Sequence, residues 1–213
     1  MSEPGIFEVM YSLRTMRRLK TDPVPDELIA KVLEAGTQAP SGANTQPWRF
    51  LVVRDAETKK FIQERYHPAI LKRFESFLPF IDNKEIPEAR NLKAAVHLGE
   101  HLHEAPVLLF VCGERDWPAS VPDEQRVGKA PPPYGSIYPC VQNILLACRA
   151  LGLGASLTTA HATFHDELCE RLAIPDDFTP VAMIPIGYPK GKFGPISRRP
   201  AAELTYFDRW GES

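Results

Sequence analysis

Polar side chains crowd one short stretch of this chain, between Pro40 and Pro47. Hydroxyl and amide groups that donate and accept hydrogen bonds come from Ser41, Asn44, Thr45 and Gln46. The two prolines fix the backbone at either end, and Gly42 leaves room for a ligand to approach the main chain. The stretch is therefore a candidate site for a polar ligand. The alternative is an ordinary connecting turn, which uses the same residue types.

Arginine residues form two clusters, one near each end of the chain. The first contains Arg14, Arg17 and Arg18, a spacing that would bring like charges together on a helix unless an anion relieved the repulsion. The second is the pair Arg198 and Arg199. Because guanidinium groups bind phosphate with two parallel hydrogen bonds, the clusters predict a compact anionic ligand. A solvated basic face is the alternative.

Four short motifs occur along the chain in a fixed order. They are the Arg-Thr-Met-Arg segment at 14–17, the Pro-Ser-Gly-Ala-Asn-Thr-Gln-Pro-Trp loop at 40–48, the stretch 152–159, and the segment 186–200 that carries the second arginine pair. Together they resemble the nitroreductase-like flavoprotein family, over about residues 6 to 204. No chain-wide repeat or flexible linker interrupts this order.

The resemblance implies that the anionic ligand is flavin mononucleotide (FMN), with NADH or NADPH as the electron donor. The cofactor-binding residues that it implies are Arg14, Thr15, Arg17, Ser41, Gly42, Asn44, Gln46, Leu157, Thr158, Thr159, Arg198 and Arg199. The arginines and Thr15 are expected at the phosphate and ribityl chain, the loop beside the flavin ring, and a backbone amide of 157–159 at flavin N5. Many members have Arg where this chain has Leu13, so Arg18 or Arg199 is expected to replace that contact.

The resemblance also implies a fold and a reaction. The fold is α+β, with a central, mostly antiparallel sheet flanked by helices, in an interlocked homodimer with two flavin sites at its interface. The chain is expected to form one domain, 1–213, with a tail at 187–213. The reaction is hydride transfer through the flavin to a nitroaromatic, a quinone or a similar small acceptor, in a pocket built from residues 61–95 and 117–134. The flavin carries the chemistry, so no catalytic side chain is predicted.

Three other functions stay open at this point. Two belong to the same family resemblance: reductive dehalogenation and oxygen-dependent flavin breakdown. The third is a protein that binds flavin without turnover. Steady-state oxidation of NADH or NADPH separates this last function from the enzymatic ones.

Composition narrows the class of protein further. The chain has 213 residues, of which 44% are hydrophobic and 24% charged, as is typical of a single domain with a real core. A net charge of -2 argues against a nucleic-acid partner. Since there is neither a long apolar run nor a basic-then-apolar leader, we expect no membrane segment and a cytoplasmic location.

Two further groups of residues were weighed as metal or redox sites. The cysteines, Cys112, Cys140, Cys148 and Cys169, have no Cys-x-x-Cys spacing and are interpreted as reduced core residues. His97 and His101 have zinc-ligand spacing, with His103 nearby, but the spacing is not accompanied by a recognisable carboxylate or cysteine pattern. They are interpreted as exposed polar residues, and no metal site is predicted.

Hydrophobic periodicity and breaker residues predict the elements that position these motifs. Helices are expected at 6–13, 26–36, 56–66, 69–77, 87–103, 135–151 and 163–172. Strands are expected at 50–53, 107–112, 155–159 and 179–186. The proline-rich stretch 117–133 is expected to lack regular structure. Helix 135–151, the most clearly apolar, is expected to be the central buried one.

Overall fold

The computed structural model describes residues 4–83 and 85–211. Its strands are β1 (Trp48–Val53), β2 (Val107–Glu114), β3 (Gly154–Ala155) and β4 (Phe178–Gly187). They form one sheet in the order β1-β2-β4-β3, and every neighbouring pair is antiparallel. Together with the helices that flank it, this sheet confirms the predicted α+β fold.

The helices are α1 (Ile6–Ser12), α2 (Asp26–Thr37), α3 (Ala56–Arg73), α4 (Pro87–His101), α5 (Tyr134–Ala150) and α6 (His165–Leu172). Short 3-10 turns connect several of them. Within the ranges that the structure describes, no helix combines the length and the apolar character needed to cross a bilayer.

Helices cover both faces of the sheet, which gives three layers. Along β2, Leu109 and Val111 face one layer, while Leu108 and Phe110 face the other, and all four are buried. The first layer contains the buried faces of α2 and α5, and the second those of α3, α4 and α6. Because both faces are covered, the inner strands read as continuous apolar runs instead of alternating ones. The prediction of a buried 107–112 strand is confirmed.

The close approach of α2 and α5 depends on a glycine. A Cβ atom added at Gly36 would lie only 2.8 Å from Ile144 Cγ1. Ile144 is fully buried at the centre of α5, in the core between that helix and the sheet. The prediction that 135–151 forms the central buried helix is confirmed, with its ends one residue earlier.

The two helices predicted at 56–66 and 69–77 are one helix in the structure, so this prediction is wrong. Helix α3 begins at a cap in which Thr58 N donates to Asp55 Oδ2 at 2.7 Å, and it continues through Pro68 to Arg73. Proline removes one backbone hydrogen bond, but Tyr66 and Ile70 on either side of it are buried in the core. Packing of this face keeps the helix continuous across the proline.

All four cysteines are free thiols, as predicted. Cys112, Cys140 and Cys148 are buried, and burial raises the pKa of each to about 12. Cys169 is partly exposed. The three buried thiols therefore stay protonated, as small apolar core residues do.

Candidate functional site

The basic segment 14–20 is extended and lies along one edge of the sheet. Lys20 N donates to Tyr188 O at 2.7 Å, and Lys190 N donates to Arg18 O at 2.9 Å. These bonds join the segment to the chain that leaves β4. The prediction that Arg14, Arg17 and Arg18 crowd together on a helix is therefore wrong, because this segment is not helical.

A glycine lets this segment approach the sheet closely. A Cβ atom at Gly154 would lie 2.9 Å from Leu19 Cδ2 and 3.0 Å from Met16 Cβ. Beside it, Met16 N donates to Ala155 O at 2.9 Å. Met16 and Leu19 are buried, and Arg14, Thr15 and Arg17, together with Arg18, line a cavity that Met16 also borders.

That cavity, which we call the basic cavity, has a volume of about 640 Å³. Seven of its lining residues are cationic: Arg14, Arg17, Arg18, Arg90, Lys190, Lys192 and Arg198. Of the lining residues that the structure describes, none is acidic, and none of the seven takes part in a salt bridge within the described ranges. In a chain of net charge -2, such a concentration of unpaired positive charge makes the cavity a candidate anion-binding site.

The structure brings four of the predicted phosphate-side residues together and leaves one out. Arg14, Thr15, Arg17 and Arg198 line the basic cavity. Arg199 does not, and its Nε instead lies 3.2 Å from Glu203 Oε2 in an exposed pair. Leu13 also lines the cavity, but it has no polar side chain to contact a phosphate. Arg18 and Arg199 were the two residues expected to supply that contact instead, and of these Arg18 lines the cavity.

Three cationic residues of the basic cavity were missed by the sequence analysis. Lys190 and Lys192 follow β4 on either side of a glycine, and this short basic run was a usable signal. Arg90 comes from α4, where one charge among several on a helix carries no local signal. It reaches the cavity only because α4 packs beside the basic segment.

The polar loop 41–46 is held by hydrogen bonds between its two ends and to helix α5. Ser41 Oγ accepts a hydrogen bond from Gln46 N at 3.0 Å, and Ser136 Oγ accepts one from Gly42 N at 3.2 Å. Ser136 belongs to the first turn of α5, so the loop is fixed to the beginning of the central helix. In front of Gly42 there is open space, since an added Cβ there would meet no atom within 4 Å.

The backbone of this loop is strained. Ala43, Asn44 and Gln46 have φ values of 47°, 56° and 49°, in the left-handed region that residues other than glycine rarely adopt. Asn tolerates this conformation, whereas Ala and Gln gain little from it. Strain of this kind concentrates at ligand-binding segments, which supports a binding function for the loop over an ordinary turn.

Within one chain, the loop residues do not reach the basic cavity. None of Ser41, Gly42, Asn44 and Gln46 is among the described residues that line it. The loop instead lies at the start of α5, where Tyr134 and Tyr138 line a second cavity of about 650 Å³ together with Thr159. Of the predicted residues, Arg14, Thr15, Arg17 and Arg198 therefore line the basic cavity and Thr159 lines the second one. The loop residues Ser41, Gly42, Asn44 and Gln46 are among the described lining residues of neither cavity.

The segment 157–159 lies beside β4, and its last residue lines the second cavity. Instead of the predicted strand, the chain pairs only at 154–155 and again at Thr158, whose N and O both bond to Met183, at 2.9 and 3.0 Å. Thr158 Oγ1 lies 3.0 Å from Tyr66 Oη. Leu157 is 38% exposed. The backbone N–H and C=O of Thr158 therefore form hydrogen bonds with the sheet, and its hydroxyl contacts Tyr66 of α3.

Tyr66 was not among the predicted site residues, because it occupies an ordinary apolar position of a helix. It is almost fully buried. Burial raises the pKa of the Tyr66 hydroxyl, with the hydrogen bond to Thr158 and the charge of Arg17 opposing the shift. Burial also lowers the pKa of Arg17. Tyr66 thus stays protonated, in contact with Thr158 and within reach of the charge of Arg17, a residue of the basic cavity.

An apolar cavity of about 270 Å³ adjoins the basic one. The two cavities share Arg17 and Asn91 as lining residues. Glu88 is the one acidic residue among the described residues of the lining. The other lining residues are apolar: Phe74, Phe77, Phe80, Ile86, Ala89, Leu92 and Ala95. These residues belong to the turn after α3 and to α4, inside the stretch 61–95 that was expected to form a substrate pocket.

Large apolar side chains are exposed on two surfaces. Helix α1 exposes Ile6, Phe7, Met10 and Tyr11, and the C-terminal tail exposes Leu204, Tyr206, Phe207 and Trp210, the last at 89%. Exposed apolar groups at this density are typical of an interaction surface.

Comparison with known proteins gives consistent results. The model of the family described as "Nitroreductase family" matches residues 12–188. An NADH dehydrogenase of Thermus thermophilus is 31% identical over 203 residues, which cover 90% of each chain. An iodotyrosine deiodinase of Thermotoga neapolitana is 29% identical over 186 residues, 86% of this chain and 88% of that protein. Among solved structures, oxidised iodotyrosine deiodinase bound to FMN and 3-iodo-L-tyrosine has a TM-score of 0.71 at 25% identity, covering 98% of this chain and 100% of that one.

Proposed function

The chain belongs to the nitroreductase family, and on that basis we propose that it is an FMN-dependent oxidoreductase. It takes electrons from NADH or NADPH and passes them to a small aromatic acceptor of the nitroaromatic or quinone class. When bound, FMN supplies the chemistry of this exchange, which is acceptance and return of a hydride equivalent. The chain supplies binding, orientation and exclusion of water.

The basic cavity is the observation that carries this proposal. FMN ends in a phosphate, and Arg14, Arg17 and Arg198 offer guanidinium groups without competing carboxylates. Charge-assisted hydrogen bonds to such groups are about twice as strong as neutral ones, and they hold the phosphate in one orientation. Thr15 adds a hydroxyl at the same cavity. The pattern fits one terminal phosphate on the ligand.

We assign the polar loop to a flavin site completed by a second copy of the chain. The loop 41–46 is strained and open to solvent, and it lies outside the basic cavity of its own chain. Exposed apolar side chains on α1 and on the tail supply the surface for a homodimer. In such a dimer the loop of one subunit faces the basic cavity of the other, and the 157–159 segment faces the flavin ring.

The apolar cavity is the proposed acceptor pocket. Its phenylalanines, Phe74, Phe77 and Phe80, suit a flat aromatic molecule, and Arg17 connects the pocket to the phosphate side of the flavin site. Phe77 and Phe80 are 56% and 51% exposed in one chain, so a bound acceptor or the second subunit covers them. Exclusion of water around the reacting atoms strengthens every electrostatic contact there.

Reductive dehalogenation is the second candidate, because relatives of similar identity are named iodotyrosine deiodinase. The solved structure with FMN and 3-iodo-L-tyrosine matches 98% of this chain. An amino-acid substrate carries both an ammonium and a carboxylate group, and in the apolar cavity Glu88 and Arg17 are the available charged partners.

The test is steady-state turnover by the FMN-loaded protein. NADH and NADPH are each supplied with a panel of acceptors: a benzoquinone, a nitrobenzoate, 3-iodotyrosine and molecular oxygen. We expect rapid oxidation of one nicotinamide with the quinone or the nitroaromatic, and none without FMN. Iodide release from 3-iodotyrosine would favour the second candidate, and absence of turnover with every acceptor would indicate a protein that binds flavin without catalysis.

A further inference from the structure

One side-chain cluster lies outside the flavin site, at the end of α4. Imidazole nitrogens of His97 and His101 and a carboxylate oxygen of Glu100 all lie within 4.8 Å of one another. The two histidines are one helical turn apart, and their ring centroids are 4.3 Å apart. Spacing alone favoured exposed polar residues here. The structure adds a carboxylate on the same face, which completes a set of three ligands.

We propose that His97, Glu100 and His101 bind a divalent transition metal ion, with Glu104 as a positioning residue. Two imidazoles and one carboxylate form a set that suits Zn²⁺, whereas Mg²⁺ prefers oxygen ligands alone. Water completes the coordination. The site adjoins the basic cavity, with which it shares Arg17 and Lys190 as neighbours, but it takes no part in the proposed reaction.

The distances allow coordination after small side-chain rotations. Ligand bonds of about 2.1 Å in a tetrahedral site place neighbouring ligand atoms about 3.4 Å apart. Nε2 of His101 is already 4.0 Å from Glu100 Oε2. The three side chains are half-buried or exposed, so nothing in the core has to move. His97 and Glu100 project from α4 and His101 is its last residue, so the backbone positions of all three are set by the helix before the metal binds.

Glu104 determines which nitrogen of His101 is free. Its Oε1 lies 2.8 Å from His101 Nδ1. With the proton held on Nδ1 by this carboxylate, Nε2 presents its lone pair towards Glu100. A carboxylate behind a histidine in this way is the usual outer partner of a metal-bound imidazole, and it raises the basicity of the ligand.

Some charged groups around the cluster oppose binding of a cation, and others favour it. Arg18 and Lys190 are the cations whose charges reach His97, and they oppose a bound cation. The carboxylates of Glu100 and Glu104 offset them. Arg17 lines the same small cavity and adds to the opposing charge, so the affinity has to come from the coordinate bonds. Lys190 is exposed and can rotate away.

The experiment is a calorimetric titration of the tag-free, chelator-treated full chain with ZnCl₂, and separately with MgCl₂. We expect one Zn²⁺ per chain, no response to Mg²⁺, and loss of Zn²⁺ binding in His97→Ala and in His97→Gln. Glu104→Ala should weaken Zn²⁺ binding about 10–100-fold. Titration with CoCl₂ gives a second readout, since the intensity of the visible absorption of bound Co²⁺ reports its coordination geometry and should be lost in the His97 variants.

The matched control is His103→Ala, which removes an exposed histidine two residues beyond His101 and outside the cluster. It should bind Zn²⁺ like the parent. Two results would overturn the proposal: an unmodified chain that takes up no Zn²⁺, or equal loss of binding in the His97 and His103 variants. Circular dichroism of each variant separates loss of ligands from loss of fold.

Discussion

The hydroxyl oxygen of Tyr66 lies 3.0 Å from that of Thr158, and this contact joins α3 to the segment 157–159. Thr158 Oγ1 also lies 3.4 Å from the N–H of Ala160. A hydroxyl has two lone pairs and one proton. When Tyr66 and Ala160 both donate to it, Thr158 keeps its own proton available for a further acceptor. The buried tyrosine thus determines how a residue beside the proposed flavin is oriented.

Replacement of Tyr66 by Phe should destabilise the chain by about 0.5–1.5 kcal/mol, since it removes one hydrogen bond and keeps the ring. Urea denaturation measures the change. Thr158→Val removes the other partner, and the double variant completes a thermodynamic cycle. A coupling energy near zero would show that the two hydroxyl groups do not interact in solution.

Arg198→Ala should weaken FMN binding by roughly 1.5–3 kcal/mol, because it removes a charge-assisted contact to the phosphate. Arg199→Ala is the matched control. It deletes the same charge one residue away, where the side chain pairs with Glu203 and does not reach the cavity. Fluorescence titration of the apoprotein measures both.

Riboflavin lacks the phosphate, so its binding separates contacts to the phosphate from contacts to the rest of the flavin. The parent should bind riboflavin more weakly than FMN, and Arg198→Ala should reduce that difference. If Arg199→Ala loses as much FMN affinity as Arg198→Ala, the basic cavity does not hold the phosphate in the way the structure indicates.

Opposite effects are expected from one substitution made in two helices. Gly36→Ala should destabilise the chain by about 1–3 kcal/mol, because its Cβ would overlap Ile144 of α5 in a packed core. Gly135→Ala meets no atom within 4 Å and should stabilise α5 by up to about 1 kcal/mol. Thermal and urea unfolding measure both. A harmless Gly36→Ala would mean that α2 and α5 are not in close contact.

Deletion of residues 200–213 should weaken the dimer and FMN binding together. The deleted segment carries exposed Leu204, Tyr206, Phe207 and Trp210, and it begins two residues after Arg198, which needs a fixed tail to face the cavity. Sedimentation equilibrium and a flavin titration measure the two effects. Trp210→Ser is a milder variant. Val127→Ser, in an exposed loop elsewhere, is the control and should change neither.

A truncated monomer that binds FMN like the parent would contradict this expectation. It would show that one chain holds the whole site and that the polar loop 41–46 serves another purpose.

Sequence analysis identified what local chemistry determines. Strand β2 was predictable from its continuous apolar run, and helix α5 from apolar residues at helical spacing, because both patterns match the burial. Arg14 and Arg17 were predictable as cavity residues because they belong to a motif. Errors arose where tertiary packing decides the outcome. Helix α3 continues through Pro68 because its buried face is packed on both sides, which proline's local effect does not reveal.

The site shows the same division between local and tertiary effects. The four motifs gave the candidate residues, but not which of them share a cavity within one chain. Arg199 is sequence neighbour to Arg198, yet its side chain pairs with Glu203. Packing of α4 brings Arg90 to the basic cavity, and packing of α3 brings Tyr66 to Thr158. Such contacts leave no pattern in the sequence.

The central claim is that this chain uses bound FMN to move electrons from a nicotinamide to an acceptor. Anaerobic mixing of the FMN-loaded protein with NADH or NADPH tests it most directly, with the visible absorption of the flavin as the readout. The account predicts that one nicotinamide bleaches the flavin in a saturable single turnover, and that a quinone or nitroaromatic then restores the colour. A flavin that binds tightly but stays oxidised with both nicotinamides would contradict the claim.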